Sequence, residues 1–185
     1  MHHNRTESIR EGAHRSPLLQ WSTRVIGAGL FALVMAVYSP GAHAVDATAP
    51  SFDLVTLGGE TYSNKLLQGQ PALLMFWAPW CNVCQRELPV MAQFHDHEKP
   101  SQLRLISIGF ADRRGNVEAY VSSHQSTFVF PTAYDIDDEV SQAFKITATP
   151  TYVLLDSQGR IVLVHRGGGL LHNPHFREFL STLKG

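Results

Sequence analysis

The sequence predicts an α/β fold in which helices cover both faces of one mixed sheet. Three observations carry that expectation. Short apolar runs alternate with helix-period stripes along most of the chain. One run, PALLMFWAPW (71–80), is apolar almost without interruption, as a central strand covered on both faces must be. Two later runs are joined by a turn too short for a crossover, so at least one pair is antiparallel. The 185 residues suit one domain plus an additional segment. A 44% hydrophobic and 17% charged composition supports a packed core. The formal net charge of -1 gives no basic excess for a nucleic-acid partner.

The additional segment is the N-terminus. Arg5, Arg10, Arg15 and Arg24 precede the uncharged run VIGAGLFALVMAVY, which is followed by SPGAHA. A charged region, a short apolar region and a small-x-small end form the order of a secretory signal peptide, here residues 1–44 with cleavage after Ala44. An uncleaved anchor is the alternative, although the run falls short of the roughly 18–20 apolar residues of a spanning helix. Either form delivers residues 45–185 to a compartment that permits disulfides, in a bacterium the periplasm. Without the leader the chain is mildly acidic.

Residues 45–50 (VDATAP) read as a flexible tether, and 51–185 as the domain. SFDLVTLGGETYS alternates around Gly58-Gly59 and predicts a hairpin. NKLLQG predicts a helical turn closed by Gly69. The central strand is expected to end at Trp80, and a helix to open at Cys81. Cys84, Leu88, Met91 and Phe94 form the stripe of that helix to about His97, with a kink at Pro89. LRLISIGF (103–110) is the next strand, NVEAYVSSH a helix capped by Asn116, and TFVFP (127–131) a strand. DDEVSQAFK predicts a helix capped by Asp137 or Asp138. PTYVLLD and RIVLVHR predict a hairpin around Gly159, and RGGG a break. NPHFREFLSTLK closes the chain as a helix with Asn173 as cap and Pro174 in the first position.

Cys81 and Cys84 are the only cysteines. A structural zinc site needs four ligands, and His95 and His97 point in different directions from one helix. A disulfide across so short a loop removes little chain entropy, so stability does not explain the pair. Redox chemistry does. A thiol at a helix N-terminus meets unpaired N–H groups and the positive end of the dipole, which favour the thiolate. Cys81 is thereby the exposed nucleophile and Cys84, one turn on, the sheltered resolving thiol.

FWAPWCNVCQRELP (76–89) resembles the active site of thioredoxin-fold proteins, in particular the exported TlpA/ResA/CcmG-like thiol–disulfide oxidoreductases. The resemblance covers about residues 49–184. It implies a thioredoxin fold with an N-terminal β-hairpin and a central αβ insertion at Asn116–Pro131. It also implies that Pro150, after Thr149 in ATPTYVLLDSQGRIV, is a cis-proline whose preceding backbone pairs with substrate. Trp80 would shape the surface beside Cys81. Glu87 matches the acidic residue of C-x-x-C-x-x-E-x-P, where a carboxylate could relay protons or simply face solvent. Two departures stand out: Met75 occupies the place of the buried aspartate of cytosolic thioredoxins, and Asn82-Val83 that of Gly-Pro between the cysteines.

The implied function is reduction of protein disulfides, with apocytochrome c as a client class and a membrane thiol-reductant transporter as electron donor. No cofactor and no metal is expected. Two other readings share the fold. A thiol peroxidase would carry Thr or Ser where Ala78 stands, and a copper-binding module would use the two thiolates as ligands. His165, Gly167–Gly169, His172 and His175 read as strand, turn and helix-cap residues.

Overall fold

The computed structural model describes residues 47–183; the leader and its cleavage point lie outside them. The strands are β1 (Ala47–Thr48), β2 (Asp53–Val55), β3 (Thr61–Ser63), β4 (Ala72–Trp77), β5 (Arg104–Gly109), β6 (Thr132–Tyr134), β7 (Thr151–Leu155) and β8 (Arg160–Arg166). The helices are α1 (Asn82–Gln93), α2 (Arg114–Ser123), α3 (Glu139–Ala143) and α4 (Pro174–Thr182). A mixed six-stranded sheet has the order β1-β8-β7-β4-β5-β6, and β2 and β3 form a separate hairpin. β4, β5 and β6 run parallel, whereas β7 is antiparallel to both β4 and β8. This is the α/β thioredoxin fold that the sequence predicts.

β4 is the centre of the sheet, and all six of its residues are buried. Strand alternation splits them between two cores. Leu73, Met75 and Trp77 pack with Cys84, Leu88 and Met91 of α1, Val117 of α2 and Phe176 of α4. Leu74 and Phe76 pack on the other face with Phe52, Leu54 and Val140. The predicted α1 stripe is the buried one, since Cys84, Leu88, Met91 and Phe94 are all excluded from water. Burying a side chain such as Leu88 or Met91 contributes roughly 1.5–3 kcal/mol. α1 continues through Pro89 and widens into a π-helical turn, Phe94–Glu98.

Several boundaries differ from expectation. β4 ends at Trp77, because Ala78-Pro79-Trp80-Cys81 forms a turn closed by the Cys81 N–H on the Ala78 carbonyl at 3.1 Å. Pro79 has the fixed φ that such a turn favours at its second position. The lead-in expected to be a tether is partly a strand: Ala47 and Thr48 pair with Ile161 and Arg160 of β8. α2 opens at Arg114, before Asn116, whose amide turns back to Asp112 at 2.7 Å. The strand expected at 127–131 lies instead at Thr132–Tyr134, so the inserted αβ unit extends past Pro131. Phe128 and Phe130 belong to the core around Trp77, with the Phe128 ring 5.0 Å from the indole; packing, and not pairing, explains their apolar density. Asp138 stands at the N-cap position of α3 as one of the two expected candidates, but neither its side chain nor that of Asp137 bonds the first N–H groups. Buried Asp135 accepts from the N–H groups of Val140 and Ser141, one on each carboxylate oxygen. NKLLQG forms turns and not a helix.

Candidate active site

The site forms where the end of β4 turns into α1. Cys81 is the N-cap residue, with extended backbone, and its carbonyl receives the first helical bond from Gln85 N–H at 3.0 Å. Its sulfur accepts from the Cys84 N–H at 3.0 Å. A sulfur thus occupies the place usually held by a Ser or Asp oxygen, on one of the helix's otherwise unpaired donors. Cys81 and Cys84 are joined in a disulfide. Cys81 is 6% exposed and Cys84 0%, so the expected order of accessibility holds, while the expected exposed nucleophile shows only a sliver of surface.

The loop before β7 closes over this pair. The Thr149–Pro150 peptide is cis. The Thr149 carbonyl lies 3.4 Å from Cys81 Sγ, and its hydroxyl 3.0 Å from Cys84 Sγ. The Pro150 carbonyl accepts from Gly167 N–H at 2.8 Å, which ties this loop to the glycine turn after β8. Thr149 therefore meets both cysteines, 68 residues from Cys81 in sequence, with the cis peptide to Pro150 directly behind it.

Trp80 is 58% exposed beside Cys81, with its indole N–H donating to the Ala111 carbonyl at 3.0 Å. Glu87, one turn past Cys84, is neither a free surface carboxylate nor in contact with a sulfur. Its Oε2 accepts from the Tyr152 hydroxyl at 3.1 Å and the Gly169 N–H at 2.9 Å. Burial, and then the Glu87 carboxylate beside it, push the Tyr152 hydroxyl well above the ordinary tyrosine range, so it remains a protonated donor. Met75 is fully buried in the same core as Cys84 and Tyr152, and the site has no carboxylate at that position. His165 packs its ring 5.9 Å from Tyr152 and bonds the Gly168 carbonyl, while Asn173 caps α4 through the His175 and Phe176 N–H groups.

Three residues near the site are not legible as site residues in the sequence: Tyr152, Ala111 and Asp138, the last expected only as a helix cap. Each acts through a contact distant in sequence. Only the position of Tyr152, two residues after Pro150 and on the same strand face as the site, offers a signal.

The arrangement suits reversible disulfide exchange: one sulfur at the rim on a helix N-terminus, a second buried behind it, and a carbonyl-bearing loop alongside. Comparison with known proteins agrees. The AhpC/TSA family profile matches residues 45–164. The chain is 29% identical to the thiol-disulfide oxidoreductase ResA of Bacillus subtilis (strain 168), over 74% of either chain. It is 31% identical to the thioredoxin-like protein YneN of the same organism, over 64% of this chain and 69% of that one. The crystal structure of StoA from Bacillus subtilis superposes with a TM-score of 0.61 at 25% identity, covering 75% of this chain and 99% of StoA.

Proposed function

Since the chain belongs to the AhpC/TSA family, as a TlpA/ResA-like protein of the thioredoxin superfamily, and is a thiol–disulfide oxidoreductase, we propose that it is exported and reduces disulfides of protein clients through Cys81 and Cys84. The observation that carries this is the Cys81 sulfur on the Cys84 N–H at the start of α1, where a thiolate is favoured.

In the reducing direction the Cys81 thiolate attacks one sulfur of the client disulfide. That S–S bond breaks, the other client sulfur leaves as a thiolate and takes a proton, and Cys81 is joined to the client. Cys84 then loses its proton and attacks Cys81 Sγ, releasing the second client thiol and forming the Cys81–Cys84 bond. Two electrons and two protons pass to the client. Trp80 and the Thr149 backbone before Pro150 hold the client segment, and Glu87, which does not touch the sulfur, relays the proton from Cys84 by way of a solvent molecule. A membrane thiol-reductant transporter restores the dithiol. Apocytochrome c, whose haem-binding thiols must be reduced, is the proposed client class. Residues 1–44 act as the export signal, cut after Ala44, and the site of action is the periplasm. The resemblance of FWAPWCNVCQRELP to exported oxidoreductases supports these assignments.

Replacing Cys84 by Ser removes the resolving sulfur. This variant is expected to accumulate covalent, thiol-cleavable adducts with client proteins; alkylatable Cys81 without adducts would sink the exchange mechanism. A Cys81–Cys84 potential close to about −270 mV supports the reductant role, and one near about −120 mV overturns it.

A further inference from the structure

Trp80 is exposed, yet its indole is tethered by a hydrogen bond. Nε1 donates to the Ala111 carbonyl at 3.0 Å, and the N–H of the same Ala111 donates to Asp138 Oδ1 at 2.8 Å. The strap joins the approach to α1, the end of β5 and the start of α3. Its backbone is unusual. Ala111 has φ +54°, Asp137 φ +52° and Asp138 φ +56°, left-handed values that side chains disfavour. Residues held in such conformations collect where a fold fixes geometry for a task. The strap ends on the residue that precedes the nucleophilic sulfur.

Building on the disulfide exchange assigned above to Cys81, we propose that Asp138 is a positioning residue for substrate selection. Acting through Ala111, it fixes the Trp80 indole beside Cys81 as a rigid platform for polypeptide substrates. The argument is one of size and freedom. Cys81 is 6% exposed and Trp80, its neighbour in the chain, 58%. A polypeptide reaching the sulfur lies against the indole and covers it, as aromatic anchors are covered at protein interfaces. A ring already fixed loses no rotamer freedom when covered. A small disulfide covers little of the ring and gains little from its fixation. Asp138 therefore governs the preference for polypeptide over small disulfides.

Three variants separate the bond from the backbone. Asp138→Gly suits φ +56° but removes the acceptor, Asp138→Asn keeps an acceptor oxygen, and Trp80→Phe keeps a ring without the donor. The selectivity is the ratio of kcat/KM for the disulfides of insulin to that for glutathione disulfide. Asp138→Gly is expected to lower it about fivefold, chiefly through KM for insulin, on the scale of one hydrogen bond. Asp138→Asn should stay within about twofold of wild type. Trp80→Phe should match Asp138→Gly, with no further loss in the double variant. The Trp80 indole N–H, assigned by its absence in Trp80→Phe, should exchange faster with solvent in Asp138→Gly and not in Asp138→Asn. Unchanged selectivity and indole protection in Asp138→Gly overturn the proposal, as does additive loss in the double variant. A wild-type protein that reduces neither substrate sinks the oxidoreductase role instead, so the two failures are distinguishable.

Discussion

Glu87 is held from two directions, by the Tyr152 hydroxyl on β7 and by the Gly169 N–H after β8. Removing the hydroxyl leaves the carboxylate with its other donor, so Tyr152→Phe is expected to cost only about 1 kcal/mol near neutral pH, read from urea unfolding. The pH dependence has a definite sign. Burial and the Glu87 charge raise the folded Tyr152 above the unfolded value near 10, so its contribution is present below about pH 10 and lost as pH rises beyond it. The advantage of wild type over Tyr152→Phe should therefore shrink between about pH 8 and about pH 11; a constant difference would refute the assignment. If Glu87 relays protons, Glu87→Gln slows release of the trapped client by at least about tenfold without unfolding the protein. The C-x-x-C-x-x-E-x-P pattern made Glu87 legible in the sequence. Its partners were not, because 65 and 82 residues separate them from it, and no local pattern encodes such a contact.

Elements meet closely at two places that fix the site's surroundings. A Cβ added at Gly109 on β5 would lie 2.5 Å from Val117 Cγ1 of α2, a stiff branched side chain that is itself fully buried. Gly109→Ala should thus destabilise by about 1–3 kcal/mol through overpacking, and Val117→Ala in the same chain should recover part of it; calorimetry checks both. At the start of α3, Asp135 holds two N–H groups with its two oxygens while buried. Asp135→Ala is expected to cost about 2 kcal/mol. The helix itself was legible from DDEVSQAFK, although only Glu139–Ala143 of that stretch is helical. Its cap was not, because a 3-10 turn, Ile136–Asp138, separates Asp135 from α3, whereas cap reading looks one residue before the helix. Asn173 and Pro174 sit directly at the start of α4, and there the sequence reading held.

At the scale of the molecule, β1 and β8 close one end of the sheet. Ala47 and Thr48 pair with β8, and Ala49 N–H bonds the Gly159 carbonyl at 2.9 Å. A chain beginning at Ser51 is expected to unfold at lower urea and to self-associate more readily, since the long β8 edge would lie open; unchanged midpoint and sedimentation would argue against it. The sequence by itself determined the fold class, the order of strands and helices from β2 onward, the redox pair and the face of α1 that packs. These follow from hydrophobic period, glycine and proline punctuation, and a motif whose chemistry is complete within one helical turn. Only the tertiary structure decided what surrounds the sulfurs: the Thr149 carbonyl and hydroxyl, the Tyr152 hydroxyl on Glu87, and the Ala111–Asp138 strap under Trp80. The reason is that packing the sheet brings together loops remote in sequence, and a hydrogen bond across tens of residues leaves no periodicity along the chain.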